Sequence, residues 1–500
     1  MRCFTLTDRP GFAAIDLGAE SGRVVVGELS GEGVELQEAH RFANRPVRLP
    51  DGLRWDLLGL LREALDGLGR AAVGRRLRGV GVDAWGVDYG LLDERGRLLG
   101  LPFHYRDART DGLLERAFER IPREELFAAT GIQTMPINTA FQLLADEGAP
   151  MLEAARSIAL VPDLLSLWLC GELANESTIA STTGLLEAGA ARWSLPVIEA
   201  LRLPRTLFAE LVEPGTRLGT LLDVHVHESG LDAGVPVFAV ASHDTASAFV
   251  AAPMRRREGS AVLCSGTWSL LGVELEQPVL SQAALAANLT NERGLDGTTR
   301  LLKNVMGLWL LQECRRAWGS EVSYEELERL AGEDDSDVSL FDPDADEFLA
   351  PGDMPWRIAD ACRTAGQDPP TGRGAVVRSI LLSLACKYRW VMDHLEQVTG
   401  RALEAVYVTG GGAKNTLLCQ LTADVTGRPV HAGPVEASAL GSVLVQARAA
   451  GLFGSLAEMR EAALVTARPR AYEPAPERDR SAETYQRFLE VTGLRIPAPA

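Results

Sequence analysis

The sequence predicts an α/β protein made of two lobes of similar build, and three observations lead to this prediction. The 500 residues are more than one hydrophobic core usually organises. A strand, a turn of small residues and a second strand occur near the N-terminus, in GFAAIDLGAESGRVVVGEL, and again in GSAVLCSGTWSLLGVEL. Between and after these two hairpins, strand-like and helix-like patterns alternate, as they do in mixed α/β folds.

The boundaries follow from the two hairpins. We expect a first lobe over residues 1–250, a second lobe over residues 251–468 and a C-terminal tail over residues 469–500 that packs back on the first lobe. The segment 333–357 is rich in Asp and Pro, which predicts a surface excursion.

The elements between these boundaries can be placed in outline. In the first half, RGVGVDAW predicts a strand, a hairpin should turn at Asp93 to Gly96, and a helix should begin near Asn138. In the second half, LLKNVMGLWLLQECRRAW and GAVVRSILLSLACKYRWVMDHLEQVTG predict long helices. The stretch EAVYVTGGGAKNTLLCQLTADVTG predicts a strand, a glycine turn and a helix.

Composition excludes several classes of protein. Hydrophobic residues make up 46% and charged residues 24%, and the chain has no apolar run of about 18 residues that could span a membrane. Neither a signal peptide nor CxxC spacing among the seven cysteines is visible, so we expect a cytoplasmic protein with reduced thiols. The net charge of −18 argues against a nucleic-acid partner. An acidic protein can still bind a nucleotide locally, through backbone N–H groups and a divalent cation.

Three glycine-bearing turns could meet phosphate groups. In IDLGAESGR an acid at a strand end precedes a Gly and Ser turn, although this is neither a P-loop nor a GxGxxG motif. LCSGTWSL offers hydroxyls and N–H groups at a second strand turn, and VTGGGAKN places bare backbone before a helix. Each turn alone is equally compatible with an ordinary strand connection.

The stretch AVASHDTASAFVAAP places His243 beside Asp244 in a run of small apolar residues, where unpartnered polar groups cost free energy to bury. One interpretation is that this segment caps a helix that begins at Ala246. The other is that the carboxylate stands at the mouth of a cleft and takes a proton from a hydroxyl. Together with the three turns, the second interpretation describes ATP held by turns from two lobes and an acid facing a sugar hydroxyl.

These motifs resemble the FGGY family of carbohydrate kinases, within the class that also contains actin and Hsp70. The similarity extends in family order from residue 11 to residue 442, and WGVD, SHDTAS, KNVMGLWLLQ and GPVEAS resemble the rhamnulokinase branch. The resemblance implies two actin-like lobes with a cleft between them. It also implies ATP-dependent phosphorylation of L-rhamnulose at its C1 hydroxyl, giving L-rhamnulose 1-phosphate.

Two alternatives to this function remain. One is another ketose or polyol as substrate, such as L-fuculose or L-xylulose. The other belongs to a different class of protein, a non-enzymatic actin-like regulator that binds ATP. If the chain is a rhamnulose kinase, the expected partners are a sugar and ATP, with no nucleic acid and no membrane. The expected oligomeric state is a monomer or homodimer.

The resemblance also assigns residues. It implies Asp244 as the catalytic base and a sugar site formed by Gly86, His243, Thr245 and Asn304. It implies an ATP site formed by Ala19, Glu20, Ser21, Gly22, Arg23, Thr267, Gln312 and Gly411. Mg²⁺ is expected with ATP and faces Asp16 through water, with no direct protein ligand assigned. Glu20 departs from the small hydroxyl residue common in the family, so it either points away from the phosphates or helps to hold Mg²⁺.

Overall fold

The computed structural model describes residues 10–31, 33–319, 321–334, 338–476 and 478–496. The strands in this part of the chain are β1 Gly11–Leu17, β2 Ser21–Ser30, β3 Gly33–Ala43, β4 Val47–Leu49, β5 Gly52–Arg54, β6 Leu77–Ala84, β7 Tyr89–Leu92, β8 Ser157–Leu160, β9 Asn175–Glu176, β10 Leu211–Val212, β11 Arg217–Thr220, β12 Pro236–Phe238, β13 Ser260–Ser265, β14 Trp268–Leu275, β15 Thr290–Arg293, β16 Thr299–Met306, β17 Ala405–Thr409, β18 Val430–Ala432 and β19 Arg470–Tyr472. The α-helices are α1 Leu57–Ala72, α2 Leu113–Phe118, α3 Arg123–Thr130, α4 Thr139–Ala145, α5 Pro150–Ala154, α6 Val161–Cys170, α7 Ser177–Ala180, α8 Leu195–Ala200, α9 Asp223–Ser229, α10 Asp244–Ala251, α11 Gln282–Ala286, α12 Trp309–Ala317, α13 Tyr324–Glu333, α14 Met354–Thr364, α15 Gly372–Thr399, α16 Thr416–Thr426, α17 Ala437–Ala449, α18 Leu456–Ala467 and α19 Arg478–Thr492.

The chain divides into two compact units. The first contains the described residues up to Ala251, Glu274–Leu301 and Ala437–Thr466. The second contains Ala252–Val273, Leu302–Glu436 and the described residues from Ala467 onward. The chain therefore returns to the first unit twice, which the contiguous boundaries expected from the sequence did not anticipate.

The C-terminal tail corrects a second expectation. Helix α19 packs on α15 and α16, and the Tyr485 hydroxyl donates a hydrogen bond to Asp393 at 2.6 Å. The Trp390 ring nitrogen donates to the carbonyl oxygen of Arg495 at 2.8 Å. The tail is part of the second unit, so the prediction that it packs on the first lobe is wrong.

The first unit is built on a six-stranded sheet in the order β11-β12-β6-β1-β2-β3. Strand β1 is parallel to β6 and antiparallel to β2, and β6 is parallel to β12. Every residue of β1 is buried, as is usual for a strand covered on both faces. Helix α17 packs against β1 and β6, and α1 packs against β2 and β3. The predicted hairpin at the N-terminus is confirmed.

The second sheet has the order β15-β16-β14-β13-β17-β18-β19. Strand β13 is antiparallel to β14 and parallel to β17, which is in turn parallel to β18. Outward from β13, the parallel and antiparallel steps repeat those found outward from β1. The predicted similarity of build is therefore present in the topology of the two sheets.

Local predictions were mostly confirmed, with two corrections at the site residues. Asn138 precedes α4, as expected. The stretch LLKNVMG is not helical but forms strand β16, so Asn304 lies on a strand. Its apolar residues are buried on both faces, and such a run does not distinguish a strand from a helix. The helix that was expected to begin at Ala246, after SHDT, begins within that motif at Asp244.

The acidic segment 333–357 is not a simple surface excursion in the part that is described. Leu340 and Phe348 are fully buried, and α14 begins within the segment at Met354. The Lys387 ammonium lies 2.7 Å from Oδ1 of Asp342, so a buried cation neutralises one of the acidic side chains.

Two further findings concern the described residues only. Their helices include none that is both long and apolar enough to span a membrane. Their cysteines, which exclude Cys3, form no disulfide.

Candidate active site

Three carboxylates of the first unit lie at the ends of neighbouring strands. Asp16 and Asp83 are paired across the parallel strands β1 and β6, one residue before each strand ends. The segment after β12 continues beside β6, with Ala84 bridged to His243, and Asp244 then begins α10. Ligands of α/β sheets bind beyond the carboxyl ends of the strands, and all three acids are at this edge.

Asp244, the predicted base, is partly open to solvent, with 29% of its side chain exposed. Its Oδ1 accepts hydrogen bonds from the backbone N and hydroxyl of Thr245, at 2.5 and 3.1 Å. Burial raises the pKa of Asp244; neighbouring His243 lowers it and the Asp16 charge raises it. The carboxyl group is therefore a stronger base than an ordinary aspartate and remains accessible.

His243 is held by a buried pair of opposite charges. Its Nδ1 lies 3.1 Å from Nη2 of Arg300 and 3.2 Å from Oε2 of Glu292. Its Nε2 lies 3.4 Å from Oδ1 of Asp244. Burial alone would raise the pKa of Glu292, but the charge of Arg300 holds it below its ordinary value. Sequence reasoning missed Glu292 and Arg300, because they lie on strands β15 and β16, respectively, about fifty residues after His243.

Asp83 is a second residue that sequence reasoning missed. It is fully buried, and neither of its carboxylate oxygens has a hydrogen-bond partner in the described part of the chain. Burial raises its pKa well above the ordinary value, and the charges of Asp16 and Asp244 add to the rise. The signal was present in the sequence, because both AAIDLG and VGVDAW place an acid one residue before the end of a strand.

The first predicted phosphate turn connects β1 to β2. Leu17 pairs with Gly22, and the Gly18 backbone N donates to the Ser21 carbonyl at 2.9 Å, so the turn over Ala19 and Glu20 is tight. Arg23 donates from Nε to Oδ2 of Asp16 at 2.9 Å, which directs its guanidinium to the buried acid. The structure thus brings the predicted residues Ala19 to Arg23 beside Asp16 within one hairpin.

Glu20 has a cationic neighbour. Burial lowers the pKa of Arg106, whereas the charges of Tyr105 and Glu20 raise it. The charge of Glu20 is therefore balanced in part by a guanidinium of the same unit. This supplies an explanation for its place in the turn that needs no metal ion.

Gly86 lies in the loop after β6, opposite Thr182. A Cβ at Gly86 would lie 2.9 Å from Oγ1 of Thr182, which also accepts a hydrogen bond from the Val87 backbone N at 3.0 Å. Asp88 fixes the same loop, because its Oδ2 accepts from the ring nitrogens of Trp55 and Trp85 at 2.5 and 3.0 Å. The close approach at Gly86 is therefore made by a threonine side chain of the same unit.

The predicted residues of the second unit group around the β13–β14 turn. The Thr267 carbonyl accepts from the backbone N of Trp309 at 3.0 Å, which joins this turn to the start of α12. One turn further along α12, Oε1 of Gln312 is buried without a hydrogen-bond partner among the described residues. A buried acceptor of this kind needs a donor, and a bound ligand can supply it. Asn304 lies on β16, next to β14 in the sheet.

The three glycines after β17 differ in their surroundings. Gly410 has a φ of +80°, and a Cβ there would lie 2.9 Å from the Ser265 carbonyl. A Cβ at Gly412 would overlap the Ser265 hydroxyl. Gly411, the predicted nucleotide contact, is exposed, and a Cβ there meets nothing within 4 Å. Two of the glycines are required by packing, and the middle one presents open backbone.

The comparisons with known proteins agree with this arrangement. The models for the N-terminal and C-terminal domains of the FGGY family of carbohydrate kinases match residues 12–251 and 261–450. A rhamnulokinase from Bacteroides thetaiotaomicron is 44% identical over 453 residues, covering 90% of this chain and 93% of the relative. One from Pectobacterium atrosepticum is 42% identical, covering 89% and 90% of the two chains.

A solved gluconate kinase from Lactobacillus acidophilus has a TM-score of 0.79 at 14% identity, and the match covers 97% of this chain and 98% of that one. At this identity the likeness concerns the fold alone, and it confirms the predicted two-domain α/β class. The chain belongs to the FGGY family of carbohydrate kinases.

Proposed function

We propose that this carbohydrate kinase transfers the γ-phosphoryl group of ATP to the C1 hydroxyl of L-rhamnulose, giving L-rhamnulose 1-phosphate and ADP. The names of the relatives that are 44% and 42% identical over most of the chain support this substrate. The observation that carries the chemistry is Asp244, a partly exposed carboxylate whose pKa is raised by burial.

The first unit supplies the proposed base and most of the groups that act on the sugar. Asp244 accepts the proton of the C1 hydroxyl as the oxygen attacks phosphorus, because a free sugar hydroxyl is a poor nucleophile at neutral pH. Its Oδ1 accepts from Thr245, which leaves the other carboxylate oxygen for the substrate. His243 and Thr245 contact the sugar in this proposal, with Asn304 contributing from strand β16 and Gly86 from the loop after β6.

The nucleotide is assigned to the glycine and hydroxyl turns. The open backbone of Gly411 faces the adenosine, and the orphaned Oε1 of Gln312 accepts a hydrogen bond from the nucleotide. Thr267 and the turn from Ala19 to Arg23 meet the phosphates, where backbone N–H groups stabilise negative charge. Phosphoryl transfer depends mainly on such alignment and charge neutralisation.

Mg²⁺ is proposed as the ion that accompanies ATP. The described residues contain no cluster of three His, Cys, Asp or Glu side chains that could hold a metal. Asp16, whose Oδ2 is bound to Arg23, leaves one oxygen for a hydrated ion. This donor set suits Mg²⁺, which keeps several waters and is held largely by substrate phosphates. When bound, the ion would neutralise the charge that develops on the phosphates.

A panel of sugars tests the proposal. Each sugar is assayed separately with ATP, and we expect kcat/KM to be higher for L-rhamnulose than for L-fuculose or L-xylulose. NMR of the product should show the phosphoryl group on C1. A higher kcat/KM for either competitor would reassign the substrate. ATP-dependent sedimentation without phosphotransfer to any ketose would support the actin-like regulator instead. The same sedimentation run distinguishes a monomer from a homodimer, both of which the sequence left open.

A further inference from the structure

We propose that Arg300 is a positioning residue for this reaction: it donates a hydrogen bond to Nδ1 of His243 and thereby directs the Nε2–H of the ring to the catalytic Asp244. The inference rests on the proposed function of Asp244 as the base. Neither Arg300 nor its partner Glu292 is among the residues assigned to the sugar or to the nucleotide.

The donor and acceptor atoms decide the tautomer of the ring. Nη2 of Arg300 lies 3.1 Å from Nδ1 of His243. A guanidinium carries only N–H donors and stays protonated, so Nδ1 must be the acceptor in this contact. In the neutral ring the proton is then on Nε2, which lies 3.4 Å from Oδ1 of Asp244. The hydrogen bond made by one ring nitrogen thus sets what the other presents.

The surroundings hold Arg300 in this place. Its side chain is fully buried, and its Nε donates to the Arg293 carbonyl at 3.0 Å. Its Nη2 also lies 3.0 Å from Oε2 of Glu292, and this oxygen is itself 3.2 Å from Nδ1 of His243. Glu292 can therefore compete for the ring, because a carboxylate would accept a proton from Nδ1. Arg300 prevents this by pairing with the carboxylate and donating to the nitrogen.

The other charged groups near His243 and Asp244 come from four further elements. Asp16 on β1 and Asp83 on β6 face Asp244, and Arg23 on β2 acts on both of these acids. Glu176, before α7, accepts a hydrogen bond from the backbone N of Ser242 at 3.0 Å. A substitution of Arg300 leaves all of these groups in place. Its effect on the base is therefore expected to pass through the ring of His243.

The test is the pH dependence of kcat/KM for the sugar in Arg300→Met. Without the arginine, Nδ1–H donates to Glu292 and Nε2 turns a lone pair to Asp244, so the ionised base loses the favourable charge contact with the Nε2–H and faces a lone pair instead. We expect the acidic limb of the profile to move to higher pH by about one unit. At a pH on that limb the rate should fall about tenfold. KM for ATP should be unchanged.

Two variants separate the hydrogen bond from a general loss of positive charge. Glu292→Gln added to Arg300→Met should return the limb toward wild type, because the amide can donate to Nδ1 and no carboxylate competes for it. Arg293→Met is the matched control, since Arg293 pairs with Glu213 at 2.9 Å and lies on β15, the neighbour of β16 in the sheet. It should not move the limb. An equal shift in Arg293→Met would overturn the proposal.

A double-mutant cycle tests whether Arg300 acts through the ring. In the His243→Gln background, Arg300→Met should cause no further shift, because the coupled residues act as one unit. A full shift in that background, or an Arg300→Met profile that overlays wild type, would contradict the inference. If Asp244→Asn keeps more than about a tenth of the wild-type kcat, the proposed role of Asp244 as the base fails. If that variant is inactive while Arg300→Met is unshifted, only the inference about Arg300 fails.

A measurement on the wild-type protein makes the test independent of how Arg300→Met folds. Histidine-labelled protein gives ¹⁵N signals that distinguish protonated from bare ring nitrogens, and the signals lost in His243→Gln identify this ring. We expect Nε2 of His243 to be protonated and Nδ1 to be unprotonated. A protonated Nδ1 would overturn the proposal.

Discussion

The β1–β2 hairpin of the first unit and the β13–β14 hairpin of the second have the same place in their sheets and different chemistry at their ends. Beside the first hairpin stand the carboxylates Asp16, Asp83 and Asp244, and burial raises the pKa of the last two. Beside the second stand Thr267 and the glycines after β17. One strand arrangement thus presents proton acceptors in one unit and neutral groups with open backbone in the other.

The difference shows what the shared topology does and does not specify. The sheet order determines that strand ends and the following turns lie at one edge. The residue types at that edge then decide which part of a phosphoryl transfer each unit can serve. We expect substitutions of the acids beside the first hairpin to affect proton transfer and those of the open glycine backbone after β17 to affect ATP binding.

The largest effect is expected for Asp244→Asn. This change keeps the size of the side chain but removes its basicity, so kcat should fall by about 10²–10⁴ while ATP affinity changes little. Steady-state kinetics with L-rhamnulose and calorimetric ATP binding measure the two quantities. A variant that keeps more than about a tenth of the wild-type kcat would exclude general-base catalysis by Asp244.

Gly411→Val, in the second unit, should affect ATP binding rather than proton transfer. Because a Cβ at Gly411 meets nothing within 4 Å, the variant should fold normally and obstruct only a bound ligand. Filling a packed contact costs about 1–3 kcal/mol, so KM for ATP should rise about 5- to 150-fold, with KM for the sugar nearly unchanged.

Gly412→Val is the contrasting variant, because its Cβ would overlap Ser265 and destabilise the turn itself. The midpoint temperature of thermal unfolding should be lowered in Gly412→Val and unchanged in Gly411→Val. A defect in sugar binding alone in Gly411→Val would place the nucleotide elsewhere.

The buried acids of the first unit should also be visible in the pH dependence of stability. Burial raises the pKa of Asp88 to about 6 from its ordinary 3.8, despite the hydrogen bonds that it accepts. Because the folded state binds the proton more tightly, the contribution of Asp88 to stability is greatest below about pH 4 and is lost as the pH rises through 6. The loss is about 3 kcal/mol.

The measurement is the difference in unfolding free energy between wild type and Asp88→Asn, from urea titrations followed by tryptophan fluorescence. The unfolding free energy of the wild type should fall relative to that of Asp88→Asn as the pH rises between about 4 and 6, and the difference should be constant above pH 7. A flat difference over the whole range would show that Asp88 has the same pKa in both states.

The smallest effect is expected for Glu20→Ser. The Arg106 guanidinium already offsets the charge of Glu20, so the Mg²⁺ dependence of the rate should change by no more than about twofold. Arg106→Met is the informative partner, because it leaves the Glu20 charge unbalanced near the proposed phosphate site and should raise KM for ATP. A large change in Mg²⁺ dependence in Glu20→Ser would instead assign this carboxylate to the metal.

Local pattern was enough to predict much of this protein. The two hairpins and the glycine turn before α16 follow from β-branched runs, glycines and the capping side chain of Asn415, which act over a few neighbouring residues. The motifs around Asp244 and Gly411 were sufficient to identify a carbohydrate kinase. The ligand contacts assigned to individual residues remain predictions.

Tertiary structure decided the rest. Strand β16 was predicted as a helix because burial on both faces erases the alternation that marks a strand. The tail packs in the second unit because its Tyr485 hydroxyl and its Arg495 carbonyl find partners on α15, which no local signal encodes. Arg300 and Glu292 reach His243, and Asp83 reaches Asp16, only through strand pairing across long sequence separations. The sequence by itself determined the local elements and the chemistry available; the register of the sheets decided which acids share a site, because hydrogen-bonded pairing brings distant residues together.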